Sequence, residues 1–236
     1  MTTGTNLAVT HRVDHDERHV SRLVVAPHAG DEVLGCGGML ARHADDSAVV
    51  VLTQPDPTAL QRLTTAHWML GNPESTTLGL ADGRLGAQLD QVVGMLAELI
   101  GRLRPTQLYL PYPSLHLDHL VTYEAGMRAT RTPALRDVRP PISVMVYDVG
   151  ATSAAHYPED VSWGVCEPLL EDEVDRKVSA AVAYRSRLAR GLKDAAREVG
   201  AARGLPWAEQ FALVRSTVPA TVAPRAGEPA MAGGAR

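Results

Sequence analysis

Aromatic side chains are scarce in this chain, with one Phe, three Trp and six Tyr among 236 residues. The core must therefore be built from Ala, Val and Leu, and base stacking is not an expected function. No long run of Lys or Arg occurs and the formal net charge is -4. The chain thus carries no electrostatic footprint for nucleic acid or an anionic membrane, and neither is expected as a partner. No stretch of 18 apolar residues is present and the N-terminal residues form no apolar h-region. Neither a membrane span nor export is expected, and the expected location is cytoplasmic. The two cysteines, Cys36 and Cys166, read as buried thiols rather than a disulfide, because a chain of this size in a reducing compartment does not need the link. There is no internal repeat. What is present is ordinary globular material, 45% apolar and 21% charged, of a length suited to one α/β domain.

Residues 1–20 form a polar segment in which His11, His15 and His19 recur at helical spacing among acids. It reads either as a metal-binding arm or as a solvated, fraying end, since no apolar flank fixes those side chains. A single domain is expected over residues 21–216, and the Pro-, Ala- and Gly-rich tail 217–236 is expected to be disordered. Inside the domain, strands and helices alternate. Leu23–Ala26, Ser47–Thr53, Gln107–Leu110 and Ile142–Asp148 read as buried strands. Val33–His43, Thr58–Leu70, Leu85–Leu103 and Leu120–Thr130 read as helices, and Glu171–Glu198 as a long helical stretch divided at Gly191. Such alternation predicts a Rossmann-like α/β three-layer sandwich with a mostly parallel sheet.

The chemistry concentrates after two of these strands. Pro27-His28-Ala29-Gly30-Asp31-Glu32 follows the first, and His116-Leu117-Asp118-His119 follows Gln107–Leu110 and the breakers Pro111 and Pro113. Loops at the carboxyl edge of an open α/β sheet are where ligands bind, so the two can meet there. Imidazole and carboxylate both suit zinc, and His28, Asp31 and His119 would supply the three protein ligands of a catalytic Zn²⁺ site with an open position for water. His116 is then free to donate a proton, with Asp118 placed to fix its tautomer. Other readings of the same residues are an N-cap for Asp31 and exposed imidazoles at a helix N-terminus for His116 and His119. A dinucleotide site at Gly35, Gly37 and Gly38 fits poorly, because Leu40 stands where the last glycine of that fingerprint belongs. Those glycines more simply let a helix approach the sheet.

PHAGDEVLGCGG resembles the P-H-P-D-D-E-x-x-G-x-G-G signature of the LmbE-like, or PIG-L, zinc-dependent de-N-acetylases, and HLDH resembles their H-P-D-H motif. Further likenesses are Trp68–Gly71 and Leu80–Gly83 on either side of a strand, Lys177–Ser186, and Ala208-Glu209-Gln210-Phe211; together they cover about residues 22–215. The resemblance implies a Rossmann-like fold and removal of an acyl group, usually acetyl, from a small-molecule substrate such as an N-acylated amino sugar or an amino-sugar/thiol conjugate. It implies zinc on His28, Asp31 and His119, with His116 as proton donor, Asp118 beside it, and Asp82 near a sugar hydroxyl. It also exposes departures. Gly30 stands where the family has its general-base Asp, Ala29 where it has proline, Arg62, a candidate substrate contact, about where it has Glu, and Tyr184 where it has His.

A positioned base contributes roughly 10²- to 10⁴-fold in rate, so Gly30 bears directly on the reaction. Three readings follow: a zinc amidohydrolase with a borrowed base, a non-hydrolytic zinc enzyme of specialised metabolism, and a catalytically inactive relative that binds a ligand in the same cleft. Glu32, His116 or a group of the substrate are the candidates for the base.

Overall fold

The computed structural model describes residues 20–131, 143–150 and 161–216. The N-terminal histidines and the tail 217–236 lie outside the described residues. Five strands of a seven-stranded sheet run parallel: β1 (Arg22–Ala26), β2 (Ser47–Thr53), β3 (Glu74–Leu80), β4 (Gln107–Pro111) and β5 (Ser143–Tyr147). Two further strands, β6 (Val165–Pro168) and β7 (Ala208–Arg215), complete the order β3-β2-β1-β4-β5-β7-β6. β7 runs antiparallel to both β5 and β6. The Rossmann-like α/β expectation is met, with an antiparallel edge added that the residue pattern did not announce.

The helices are α1 (Asp31–Arg42), α2 (Pro57–Met69), α3 (Leu89–Leu103), α4 (Leu117–Ala129), α5 (Glu171–Ala183) and α6 (Ala189–Ala201). Alternate residues of each central strand feed opposite cores, as the two-residue period requires. Val24, Ala26, Val49 and Val51 face a core shared with α1, α2 and α5, while Leu23, Val25, Val50 and Leu52 face one shared with α3 and α4. Cys36 is buried in the first of these cores; Cys166 is only half-buried, and both are free thiols.

Close approach of α1 to the sheet is set by Gly35, where an added Cβ would lie 2.0 Å from the Tyr147 ring. Tyr147 in turn donates its hydroxyl to the carbonyl of Val25 at 2.8 Å. A buried pair, Lys177 Nζ to Glu209 Oε1 at 2.6 Å, fastens α5 to β7. Glu209 also accepts the N–H groups of Gly38 and Met39, both at 2.7 Å, so β7 is anchored to α1 as well. These contacts account for the spacing of Lys177 and of Ala208–Phe211 as structure rather than chemistry.

The long helical stretch expected over 171–198 differs from the fold in where it divides. It breaks at Tyr184–Leu188, not at Gly191, and Arg185 takes a left-handed φ of 56° there. Among the described residues, no helix is long and apolar enough to cross a membrane.

Candidate metal centre

The strand order reverses between β1 and β4, and a crevice opens at such a switch point beyond the carboxyl ends of the strands. The loop after β1 carries His28, and its carbonyl at Pro27 accepts both the N–H and the hydroxyl of Thr53, at 3.1 and 2.8 Å. That clamp fixes the loop against β2. Gly30 then turns the chain into α1 with φ 112°, a backbone conformation that L side chains rarely adopt. Asp31 is the first residue of α1, not its N-cap, and its Oδ2 accepts the His28 N–H at 3.2 Å. Beyond β4, Ser114 Oγ accepts the N–H of His116, which is the N-cap residue of α4 and sets His119 on the first turn.

His28 is the hub. Its Nδ1 lies 3.3 Å from Asp31 Oδ2, and its Nε2 lies 3.0 Å from Asp82 Oδ1 and 3.2 Å from Asp118 Oδ2. His119 Nε2 meets the same Asp31 oxygen at 3.4 Å. The ring of His116 stands 4.9 Å from those of both His28 and His119, measured between centroids. Ligating atoms of His28, His116 and His119 all lie within 4.8 Å of one another, as do those of His28, Asp82 and Asp118. Asp31 is outside both triads but touches two of the imidazoles.

The sequence-predicted residues His28, Asp31, Asp82, His116, Asp118 and His119 are therefore brought to one place. Arg62 is not among them; it faces an adjoining cavity. The role expected of Asp118 also differs. It is fully buried, and its carboxylate accepts the N–H of Gly83 at 2.7 Å and of Leu85 at 3.3 Å while meeting His28 rather than His116. Asp118 thus holds the loop after β3, which is what carries Asp82 to His28.

The charge balance favours a cation. Although burial disfavours a charged imidazole, the hydrogen bond and charge of Asp31 and the proximity of Asp118 and Asp82 raise His28 to about 9. Burial works against an ionised Asp31, but the hydrogen bonds from His119 and His28 hold its carboxyl down to about 2. His116 goes the other way, lowered by burial and by the charges of His119 and His28. The donor types suit zinc as well, imidazole and carboxylate meeting where Asp31 contacts His28 at 3.3 Å and His119 at 3.4 Å.

On the other side of the loop, Glu32 is fully buried and turned away from the histidines. It accepts the Gly30 N–H at 2.7 Å and the Tyr184 hydroxyl at 2.9 Å, and lies 3.3 Å from His67 Nε2. Glu32 is thereby committed to supporting the loop. A Cβ built on Gly30 would lie 3.5 Å from the Tyr184 ring, so that ring borders the space a longer side chain would enter. Beside it opens a cavity of about 310 Å³ lined in part by Gly30, Asp31, Arg62, Tyr184 and Ser186. In the sequence Ser186 showed only as the last residue of the Lys177–Ser186 likeness, with no role attached. The break that delivers it to the cavity arises from the turn between α5 and α6.

The chain is thus an α/β protein with a histidine and carboxylate cluster, of a kind that could hold a metal ion, at the sheet edge beside a cavity. The chain belongs to the PIG-L family, described as GlcNAc-PI de-N-acetylase, whose pattern matches residues 23–130. YaiS, an uncharacterized deacetylase of Escherichia coli (strain K12), is 31% identical over 125 residues, covering 47% of this chain and 68% of that protein. The conserved protein TT1542 from Thermus thermophilus superposes with a TM-score of 0.68 at 26% identity, covering 89% of this chain and all of that one. The N,N'-diacetylchitobiose deacetylase from Pyrococcus horikoshii shares the fold with a TM-score of 0.64 at 17% identity, covering 83% of each chain.

Proposed function

We propose that the protein is a zinc-dependent enzyme that removes an N-acyl group, typically acetyl, from a small N-acylated amino sugar or its conjugate. The observation that carries this reading is the convergence of His28, His116 and His119 at the switch point of the sheet, with Asp31 touching both His28 and His119. His28, Asp31 and His119 would hold the metal. Bound there, zinc supplies Lewis-acid polarisation of an acyl carbonyl and a more acidic water. His116 is exposed and close to both ligand histidines, and burial together with the charges of His119 and His28 lowers it from the ordinary histidine value, which favours its unprotonated form. It takes up a proton as water attacks and delivers that proton to the leaving amine. Asp118 positions His28 and the loop bearing Asp82, and Asp82 is exposed at the rim for a hydroxyl of the substrate.

A second reading is favoured by one specific observation. With Gly30 at the position of the family's base, Tyr184 against it and Glu32 turned into the protein, no carboxylate besides that of Asp31 lines the cavity side of the loop among the described residues. This suits a zinc enzyme that activates a carbonyl for transfer, cyclisation or elimination while protecting its intermediate from water. Metal quantification with an acetate-release assay on a panel of N-acetylated amino sugars separates the two. Zinc at one per chain with acetate release supports hydrolysis; zinc without acetate release supports the second reading. Protein that takes up no zinc sinks both.

A further inference from the structure

Four positions where this chain departs from its family's signature line a single cavity: Ala29, Gly30, Arg62 and Tyr184. They are distant in sequence and come from the β1 loop, α2 and the end of α5. Among the described residues Arg62 has no carboxylate partner and no hydrogen bond, although it is half-buried. A cation so placed leaves its desolvation uncompensated unless a ligand brings the counter-charge. Ser186 adds a donor, because its Oγ accepts the N–H of Leu188 at 3.2 Å and its own proton remains available.

The segment that carries Ser186 has the same sign: Arg185, Arg187 and Arg190 on its turn and helix start are exposed and have no side-chain partner among the described residues. No acid occurs from Val178 to Lys193. In a chain of net charge -4 this is a local reversal, of the kind that raises the local concentration of an anion. Elsewhere the walls include Ala29, Leu34 and Ala181, which offer an apolar backing but no competing acid. The one carboxylate in the lining is Asp31, whose charge already faces His28 and His119. A volume of about 310 Å³ suits one small group rather than a polymer.

We propose that this cavity is an anion subsite, in which Arg62 and Ser186 receive a phosphate or carboxylate carried by the substrate whose amide reaches the His28–His119 cluster. The inference rests on reading that cluster as the reaction centre. Because Asp31 belongs to both the cluster and the cavity wall, one small molecule can span the two. The arginine turn draws the anion in, Arg62 fixes it, and Gly30 leaves the passage between the two chambers free of a side chain.

The test is calorimetric titration of the zinc-loaded full chain with N-acetylglucosamine, its 6-phosphate and its 6-carboxylate. At least one anionic analogue is expected to bind about tenfold or more tightly than the neutral sugar, the scale of a hydrogen bond to a charged group. The two analogues tell phosphate from carboxylate. In Arg62→Ala the gain is expected to vanish, in Arg62→Lys to persist in part, and in Arg203→Ala, whose side chain bonds the carbonyls of Trp163 and Gly164, to remain whole. Equal binding of all three sugars, no binding of any, or a gain that survives Arg62→Ala overturns the proposal. Acetate release is read separately. Release that is indifferent to both charge and Arg62 removes the subsite and leaves the deacetylase reading standing; an Arg62-dependent gain without release does the reverse.

Discussion

The two flanks of the Pro27–Gly30 loop are built on different plans. Toward β4, side chains reach for one another: three acids surround His28, Asp31 is shared by two imidazoles, and Asp118 is buried with both oxygens engaged. Toward α2 and α5 they leave a cavity lined by a glycine, a tyrosine ring and an arginine that has no side-chain partner among the described residues. The first flank keeps every family position that would bind metal, whereas the second collects the departures. The difference teaches that the departures from the family signature gather on the cavity flank, while the histidine and carboxylate cluster on the other flank keeps the residue types of the signature.

The comparison breaks outright if the ligand flank does not bind metal. His119→Ala and Asp31→Ala are each expected to lower zinc from about one per chain to about a tenth or less under the same loading, with the circular dichroism of the fold retained. Stoichiometric zinc in either variant would end the assignment of that residue. The next largest effect concerns the second flank. Gly30→Asp alone places a Cβ at φ 112° against the Tyr184 ring, a strain of about 1–3 kcal/mol. Gly30→Asp with Tyr184→His replaces the phenol ring by the smaller imidazole and is expected to raise acetate release roughly 10²- to 10⁴-fold over the unmodified chain. A zinc-loaded double variant with no such gain would show that the flank lacks more than a base.

Asp118→Ala sharpens the comparison from the other side. It strips acceptors from Gly83, Leu85 and His28 in a fully buried place, so denaturant unfolding should register a loss of about 2–4 kcal/mol. Zinc affinity should fall about 10- to 100-fold, as when an outer partner of a ligand histidine is lost. Unchanged stability and affinity would mean that Asp118 serves His116 instead. The smallest effect belongs to Asp82→Asn. Its carboxylate is 74% exposed, and an exposed ion pair contributes less than about 1 kcal/mol. A thermal shift as large as that of Asp118→Ala would place Asp82 within the support of the cluster rather than at its rim.

Legibility in the sequence followed burial. Leu23–Ala26, Ser47–Thr53 and Gln107–Leu110 could be read as strands because they are covered on both faces and therefore apolar except at Ser47, Thr53 and Gln107 at their ends. β3, with the polar run Glu74–Thr77, sits at one edge of the sheet and showed only through the motifs that flank it. β6 and β7 were not legible, since their antiparallel pairing is decided by residues far away in the chain. The site was half legible in the same sense. His28, Asp31, His116 and His119 declared themselves by following strands, but Asp118 was expected beside His116, its near neighbour in sequence, and meets His28 instead.

What the sequence by itself determined is the set of local properties: a core of Ala, Val and Leu, strands and helices in alternation, and histidines and carboxylates beyond the ends of two strands. Each depends on periodicity or on a turn, and both are written in consecutive residues. Tertiary structure alone decided which charges find partners. The break at Arg185 and the crossing of α2 bring Arg62, Gly30, Tyr184 and Ser186 around one space, and no period in the chain encodes that meeting. Whether a charge is satisfied depends on what lies opposite it once the chain is closed, and that is why the unpaired Arg62 becomes a feature only in the folded protein.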